Sequence, residues 1–222
     1  MELASPFHEY DGQIALDLPG ACAVFTTRSW GDVRETEQQI AERLGVTLVR
    51  PRQVHGDAVL TVSSETTAPA TEADAVVSAT RGLAPMVITA DCLPIVIASR
   101  GAVAAVHAGW RGLAAGLIGK AVAALRRQGG GVISAAIGPG AGVCCYEVGD
   151  DLHRRFNARC QDFHRARNLD LKAIARVQLM EAGVARIHDT EICTICGDPG
   201  LTFSHRREGA ATGRQAAIVW SS

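Results

Sequence analysis

The sequence predicts a single α/β domain with strands in the interior and helices on the outside. Short apolar runs rich in β-branched residues alternate along the chain with longer segments of helical periodicity. Several strand-like runs are apolar on both faces, which is typical of sheets covered on both sides. The 222 residues contain no linker or internal repeat and suffice for one sizeable core, so residues 1–222 are predicted to form one domain.

Eight strands are predicted where apolar, β-branched runs are bounded by turn residues. In chain order they are CAVFTT (22–27), AVLTVS (58–63), DAVVS (74–78), PMVITA (85–90), PIVIAS (94–99), AVAAVHA (102–108), VISAAIG (132–138) and AAIVW (216–220). Four helices are predicted between or after them. They are residues 32–45, 113–128, 146–157 and 170–183, and Gly183 closes the last as a C-cap.

Charge and composition narrow the classes of partner. The chain has 22 basic and 23 acidic residues and no run of like charge, which argues against nucleic acid as a partner. The N-terminus lacks a basic region followed by an apolar stretch, and Arg100, His107 and Arg111 interrupt the longest apolar segments. We therefore expect a soluble, cytoplasmic protein that does not associate with membranes. The seven cysteines are expected to be reduced thiols.

Three candidate metal ligands follow strand-like segments. His55 precedes a glycine, Cys92 lies between two apolar strands, and His107 ends the strand 102–108. Two imidazoles and a thiolate bind Zn²⁺ with one coordination position left open. Taken singly, each is also compatible with a buried polar histidine or a small buried cysteine.

The other cysteines are interpreted as structural or incidental. Cys193 and Cys196 form a C-x-x-C pair, but no second such pair completes a zinc ribbon. The adjacent Cys144 and Cys145 are interpreted as packing residues. A redox role for the C-x-x-C pair remains the alternative.

Two groups of basic residues are candidate anion sites. Arg111 follows the strand that ends near His107, and strand ends are where α/β folds collect ligands. The segment 203–217 clusters His205, Arg206, Arg207 and Arg214, and guanidinium groups bind anions in a fork geometry. A solvated loop is the alternative for this segment.

A set of motifs resembles the YfiH family, also called laccase-domain or multicopper polyphenol oxidase proteins. The motifs, in order, are RQVHGDAV, TADCLPIV, AVHAGWRGL, IGPGAGVCCYEVG, DLKAIARVQL, CT at 193–194 and FSHRREGAATGR. The resemblance implies a layered sandwich of mixed β-sheets with helices outside. It implies a zinc-dependent purine nucleoside phosphorylase that also deaminates adenosine and cleaves methylthioadenosine, with His55, Cys92 and His107 as metal ligands.

The remaining site residues are assigned on that basis. Arg111, with Arg206 as a second candidate, is expected to bind phosphate, and Asp91 to orient a metal-bound histidine. The chain departs from the family pattern at two points, which concern the substrate pocket. It lacks a glycine-, serine- and asparagine-containing loop after FTTRSWGD, and His205 stands where the family has a tyrosine that could contact a base.

Three other functions are compatible with the sequence. A copper-dependent polyphenol oxidase would use the same two histidines and cysteine, usually with an axial methionine, but the chain has only three methionines and no H-x-H pair. An editing hydrolase of a peptidoglycan precursor is known within the family. A non-enzymatic zinc domain would need a fourth protein ligand, with Cys144, Cys145 and His205 as candidates.

Overall fold

Two β-sheets organise the chain, whose computed structural model describes residues 3–63, 71–157, 164–165 and 167–222. The strands, in chain order, are β1 (His8–Tyr10), β2 (Gln13–Leu18), β3 (Ala21–Phe25), β4 (Thr47–Val49), β5 (Val59–Val62), β6 (Ala75–Ser78), β7 (Leu83–Thr89), β8 (Leu93–Arg100), β9 (Ala102–Ala108), β10 (Gly130–Ile137), β11 (His164–Arg165), β12 (Asn168–Leu169), β13 (Arg186–Asp189) and β14 (Gln215–Ser221). The first sheet has the six-strand order β1-β2-β3-β14-β7-β4, and the second has the order β13-β10-β8-β9-β6-β5. Strands β11 and β12 form a separate pair.

Both six-stranded sheets mix parallel and antiparallel pairs. In the first sheet only β4 and β7 pair in parallel, and in the second the outer pairs β10–β13 and β5–β6 are parallel. The helices are α1 (Val33–Leu44), α2 (Trp110–Ala114), α3 (Leu117–Gln128), α4 (Asp150–Asn157), α5 (Leu171–Glu181) and α6 (His205–Glu208), with a 3-10 turn at Arg28–Trp30. Among the described residues, no helix is long and apolar enough to span a membrane.

The two sheets pack face to face, with helices on the outer sides. Alternation along β9 shows the layering: Val103 and Ala105 pack between the sheets, whereas Ala104 and Val106 pack toward α3 and α5. On the other side, Ile40 of α1 packs against the outer face of the first sheet. The predicted sandwich of mixed sheets with helices outside is confirmed.

The structure differs from the predicted elements in three ways: strands that were missed, a helix that is divided and a helix that begins later. All eight predicted strands are present, but β1, β2, β4, β11, β12 and β13 were not predicted because they are short or have few β-branched residues. The predicted helix 113–128 is two helices, since Gly116 adopts a left-handed conformation with φ 77° between α2 and α3. The predicted helix 146–157 begins only at Asp150, directly after Gly149.

Candidate functional site

The candidate site lies at an edge where the chain passes from one sheet to the other. Residues 90–92 connect β7 of the first sheet to β8 of the second, and residues 50–58 connect β4 to β5 in the same way. Strand β9 ends at this edge because its Ala108 pairs with Leu93 at the start of β8. Three segments distant in sequence therefore meet here.

The structure brings His55, Cys92 and His107 together at this edge. Their potential ligand atoms all lie within 4.8 Å of one another. The two imidazole rings meet edge to face, with centroids 4.7 Å apart and an interplanar angle of 79°. His107 is buried, Cys92 is partly buried and His55 is exposed. This donor set is one that a metal ion can occupy from the solvent side.

Asp74 organises the group, and the sequence analysis did not single it out. Its buried carboxylate lies 2.7 Å from Nδ1 of His107. The same carboxylate accepts backbone N–H bonds from Val54, His55 and Gly56. One side chain thus orients one imidazole, leaves its Nε2 free for a ligand, and fixes the loop that carries the other imidazole. An aspartate at the start of an otherwise apolar strand was the available sequence clue.

The carboxylate beside His107 is that of Asp74, and not that of Asp91, which was expected to orient a metal-bound histidine. The Asp91 carboxylate instead accepts a hydrogen bond of 2.6 Å from Thr194 Oγ1 and one of 2.7 Å from the backbone N–H of Arg206. Asp91 joins the Cys92 turn to the loop that carries Thr194 and to the first turn of α6. Both Asp91 and His55 have positive φ, at 89° and 59°, a costly conformation that concentrates at functional sites.

Gln53 and Gly109 hold the loops close together around His55, Cys92 and His107. The side-chain amide of Gln53 donates to the carbonyl oxygen of Ile88 and accepts from its N–H, both at 2.8 Å, which fixes the His55 loop on β7. Gly109 follows β9, and a Cβ at this position would lie 3.0 Å from Sγ of Cys92 and 3.4 Å from the His55 ring. The approach of the two ligand loops thus favours glycine there.

A cavity of about 450 Å³ opens over the group. This volume lies within the range of small-ligand sites. All seven residues that the sequence analysis assigned to the site line it, namely His55, Asp91, Cys92, His107, Arg111, His205 and Arg206. Gln53, Trp110 and Tyr146 also line it and were not assigned from the sequence.

The arginines around the cavity differ in how many protein groups they bind. The Arg111 guanidinium stacks 4.5 Å from the Trp110 ring, and no described carboxylate pairs with it. Arg206 lies over Tyr146 at 5.4 Å and bonds to a backbone carbonyl. Arg207, by contrast, binds Glu208 and two carbonyl groups, and Arg207 does not line the cavity. The predicted basic cluster therefore divides into cavity residues and a structural arginine.

Cys92 and His107 form a thiolate–imidazolium pair in the metal-free chain. Burial raises the pKa of Cys92, but the charge of His107 and hydrogen bonds from His107 and His55 lower it to about 6. Burial lowers the pKa of His107, but Cys92 and Asp74 raise it to about 9. Between about pH 6 and pH 9, the Cys92 thiol is therefore deprotonated while the His107 imidazole stays protonated.

Alkylation of the metal-free protein should therefore detect an acidic Cys92. We expect the rate of its reaction with iodoacetamide to rise through a midpoint near pH 6, because the thiolate is the nucleophile. Cys22 is an internal control, since burial and Asp17 raise the pKa of its thiol above 9.0. Peptide mass spectrometry across a pH series measures both rates in one sample. Equal midpoints for the two cysteines would disprove the pairing with His107.

Four other cysteines, which the sequence analysis interpreted as structural or incidental, lie close together. The four Sγ atoms of Cys144, Cys145, Cys193 and Cys196 lie within 4.8 Å of each other. The C-x-x-C pair, which was interpreted as structural or incidental, therefore has two cysteine neighbours, Cys144 and Cys145, from another loop. This cluster is separate from the His55, Cys92 and His107 group.

Comparisons with known proteins agree on one family. The family model described as multi-copper polyphenol oxidoreductase laccase matches residues 26–222. A Xylella fastidiosa protein named purine nucleoside phosphorylase is 39% identical over 206 residues, covering 85% of this chain and 78% of that protein. An Escherichia coli protein named purine nucleoside phosphorylase YfiH is 37% identical over 180 residues, covering 76% of this chain and 71% of that protein. The crystal structure of the Bacillus licheniformis hypothetical protein YfiH is similar with a TM-score of 0.86 and 26% identity, covering 99% of this chain and 100% of that one. The chain therefore belongs to the YfiH family, whose laccase-type model spans most of its length.

Proposed function

We propose that the protein is a zinc-dependent purine nucleoside phosphorylase. The observation that carries this proposal is the convergence of two imidazoles and a thiolate on the wall of a cavity of about 450 Å³. The names of its relatives at 37–39% identity support the same activity. The substrates are then a purine nucleoside and phosphate, and the products are ribose 1-phosphate and a free base.

His55, Cys92 and His107 would hold the zinc ion. Among the described residues this group offers three ligands and no fourth, which is typical of a catalytic rather than a structural zinc site. Cys144 and Cys145, once candidates for a fourth ligand, belong to the other cluster. When bound, Zn²⁺ supplies a Lewis acid beside an open coordination position.

Zinc is favoured over copper by the surroundings of the group. A blue-copper centre with two histidines and a cysteine usually has a weak axial methionine. Met86 is fully buried in the layer beneath α1, and Met180 is exposed on α5. Neither side chain lines the cavity. The copper oxidase therefore has less support than the zinc enzyme.

Arg111 would bind the phosphate nucleophile. During phosphorolysis a phosphate oxygen forms a bond to ribose C1′ while the bond from C1′ to the purine breaks, and the electron pair leaves with the purine. The free guanidinium of Arg111 on the cavity wall can hold two phosphate oxygens at once and so orient the third. Arg206 is the second candidate for this contact.

The aromatic residues of the cavity would hold the base. Tyr146 and Trp110 present rings on the cavity wall, and each has an arginine stacked on it. His205, which replaces the family tyrosine, adds an imidazole at the rim. Asp91 acts as a positioning residue through Thr194 and Arg206. The same cavity would also accept adenosine for deamination and methylthioadenosine for phosphorolysis.

Base release from nucleosides tests the proposal. With inosine, adenosine or methylthioadenosine at millimolar concentration, we expect hypoxanthine or adenine to form only when phosphate is present.

Arg111→Lys should reduce phosphorolysis about 10- to 100-fold, because lysine keeps the charge but loses the bidentate fork. It should spare deamination of adenosine and leave the metal content unchanged. Chromatography measures the products, and Arg127→Lys on the outer end of α3 is the matched control. No base release from metal-loaded protein would reject the phosphorylase and leave a hydrolytic substrate, such as a peptidoglycan precursor.

A further inference from the structure

A second cluster of metal-binding side chains lies in two loops that follow neighbouring strands. Strands β10 and β13 run parallel, so the loops after them leave the second sheet at the same edge. Residues 138–149 supply Cys144 and Cys145, and residues 190–201 supply Cys193 and Cys196. Gly140 bridges to Cys193 in parallel and pairs with Ile192 and Thr194 through backbone hydrogen bonds. The backbone therefore holds the two loops side by side before any ion binds.

The four sulfur atoms lie close enough together for one tetrahedral ion to bind them all. Zinc with Zn–S bonds of about 2.3 Å holds its sulfur ligands about 3.8 Å apart. Sγ of Cys144 lies 3.4 Å from Sγ of Cys196, and all four Sγ atoms lie within 4.8 Å of one another. Four thiolates form the closed donor set of structural zinc sites, and thiolates select zinc over magnesium and calcium.

The turn around Cys193 adds an independent observation. Its sulfur accepts backbone N–H bonds from Ile195 and Cys196 within the C-x-x-C turn, and one of 3.2 Å from Gly142 in the other loop. Backbone donors aimed at a sulfur atom orient and stabilise a metal-bound thiolate. The turn itself closes with a 2.9 Å bond from the Gly197 N–H to the Cys193 carbonyl oxygen.

Glycines make room for this arrangement. A Cβ on Gly197 would lie 2.4 Å from the Cys193 carbonyl oxygen, so only glycine fits the end of the turn. A Cβ on Gly142 would lie 3.1 Å from Sγ of Cys144 and 3.1 Å from Cβ of Cys193. The two loops thus approach closely at the cluster, which is what a shared ion demands of them.

We propose that Cys144, Cys145, Cys193 and Cys196 bind one structural Zn²⁺ that joins the two loops. The first loop reaches the cavity, and the second contacts a residue of its wall. Tyr146 follows Cys145 and lines the cavity, and Thr194 follows Cys193 and donates to Asp91. The ion therefore stabilises the cavity wall from outside, without contacting the substrate.

Zinc counting in a background that lacks the first site tests this proposal. In protein made in metal-balanced medium, native mass spectrometry and elemental analysis should find two zinc ions per chain. Cys92→Ala should keep one, and Cys92→Ala with Cys196→Ser should keep none. Cys92→Ala with Cys22→Ser is the matched control and should keep one. Cys196 is exposed, so its replacement by serine is compatible with folding.

Cobalt substitution gives a second measurement that does not depend on zinc counting. Cobalt-loaded Cys92→Ala should show intense thiolate-to-cobalt charge transfer, which Cys196→Ser should abolish. The proposal is overturned if Cys92→Ala holds no metal, or if its mass shows disulfides in place of zinc by the loss of two hydrogens each. If only the His55 site were wrongly assigned, the wild-type protein would hold one ion that Cys92→Ala retains and Cys196→Ser removes.

Discussion

Replacing Asp74 by alanine is expected to abolish metal binding at His55, Cys92 and His107 and to lower the free energy of unfolding by about 3–5 kcal/mol. The Asp74 carboxylate and the His107 ring are both buried, and their pairing is 2.7 Å long. Removing the carboxylate leaves that imidazole without its partner. It also frees the backbone N–H groups of Val54, His55 and Gly56, so the His55 loop loses its attachment.

Asp74→Asn separates the two effects. Asparagine keeps the size and one acceptor oxygen but loses the negative charge, so the loss of stability should be smaller than for alanine. Metal affinity should still fall about 10- to 100-fold, the usual effect of removing a carboxylate behind a ligating histidine. Asp57→Asn is the control, because Asp57 forms an exposed pair with Lys120 near the same loop and should leave both quantities almost unchanged.

Denaturant unfolding of the metal-free proteins and competition for zinc with a chromogenic chelator measure the two quantities. If Asp74→Asn bound zinc as tightly as the wild-type protein, the carboxylate would be stabilising the fold without preparing the metal site. If Asp57→Asn changed stability and zinc affinity as much as Asp74→Asn, the cause would be the loss of any negative charge near the site and not the contact between Asp74 and His107.

The sequence predicts the interior of the fold better than its margins. Strands β8 and β9 are buried on both faces, and their continuous apolar runs identified them. Strand β1 is exposed throughout and β13 is a polar edge strand, so neither carries a hydrophobic pattern to recognise. The break between α2 and α3 could not be predicted either, because the helical pattern of the sequence continues across Gly116, whose backbone is left-handed.

The site could be predicted as a set of residue types but not as a set of contacts. His55, Cys92 and His107 stand at strand ends in the sequence, but only the pairing of β8 with β9 and the crossings between sheets bring them together. Asp74 precedes β6, which lies beside β9, so its contact with His107 depends on a register that the sequence does not display. The four-cysteine cluster was missed for the same reason, since Cys145 and Cys193 are 48 positions apart in the sequence and the parallel pairing of β10 and β13 brings their loops together.

The two cysteine-containing sites differ in what their geometry permits. The His55, Cys92 and His107 group lies on a cavity and lacks a fourth ligand among the described residues, so a bound ion could contact a substrate. The four-cysteine cluster would close the coordination shell of its ion with protein sulfur alone. Activity should therefore depend directly on the first site, whereas the second should act through the stability of the loops around Tyr146 and Thr194.

Cys92→Ala is accordingly expected to remove the ion of the first site and to reduce phosphorolysis by about 1000-fold or more, since an active-site metal supplies several kcal/mol of transition-state stabilisation. The variant should still fold, because alanine replaces a small, partly buried side chain just before a strand that is buried except at Arg100. Cys22→Ala on β3 is the matched control and should keep both the metal and the activity.

The measurement is the difference in metal content between Cys92→Ala and the wild-type protein, because a difference is independent of any ion held elsewhere. The variant should lose one zinc ion per chain, and kcat/KM for inosine should fall with it. Loss of one copper ion together with an intense blue absorption band would assign the site to copper and favour the oxidase. Full metal content and full activity in Cys92→Ala would show that this thiolate is not a ligand. The two imidazoles and Asp74 would then be the groups from which the chemistry of the cavity must be derived.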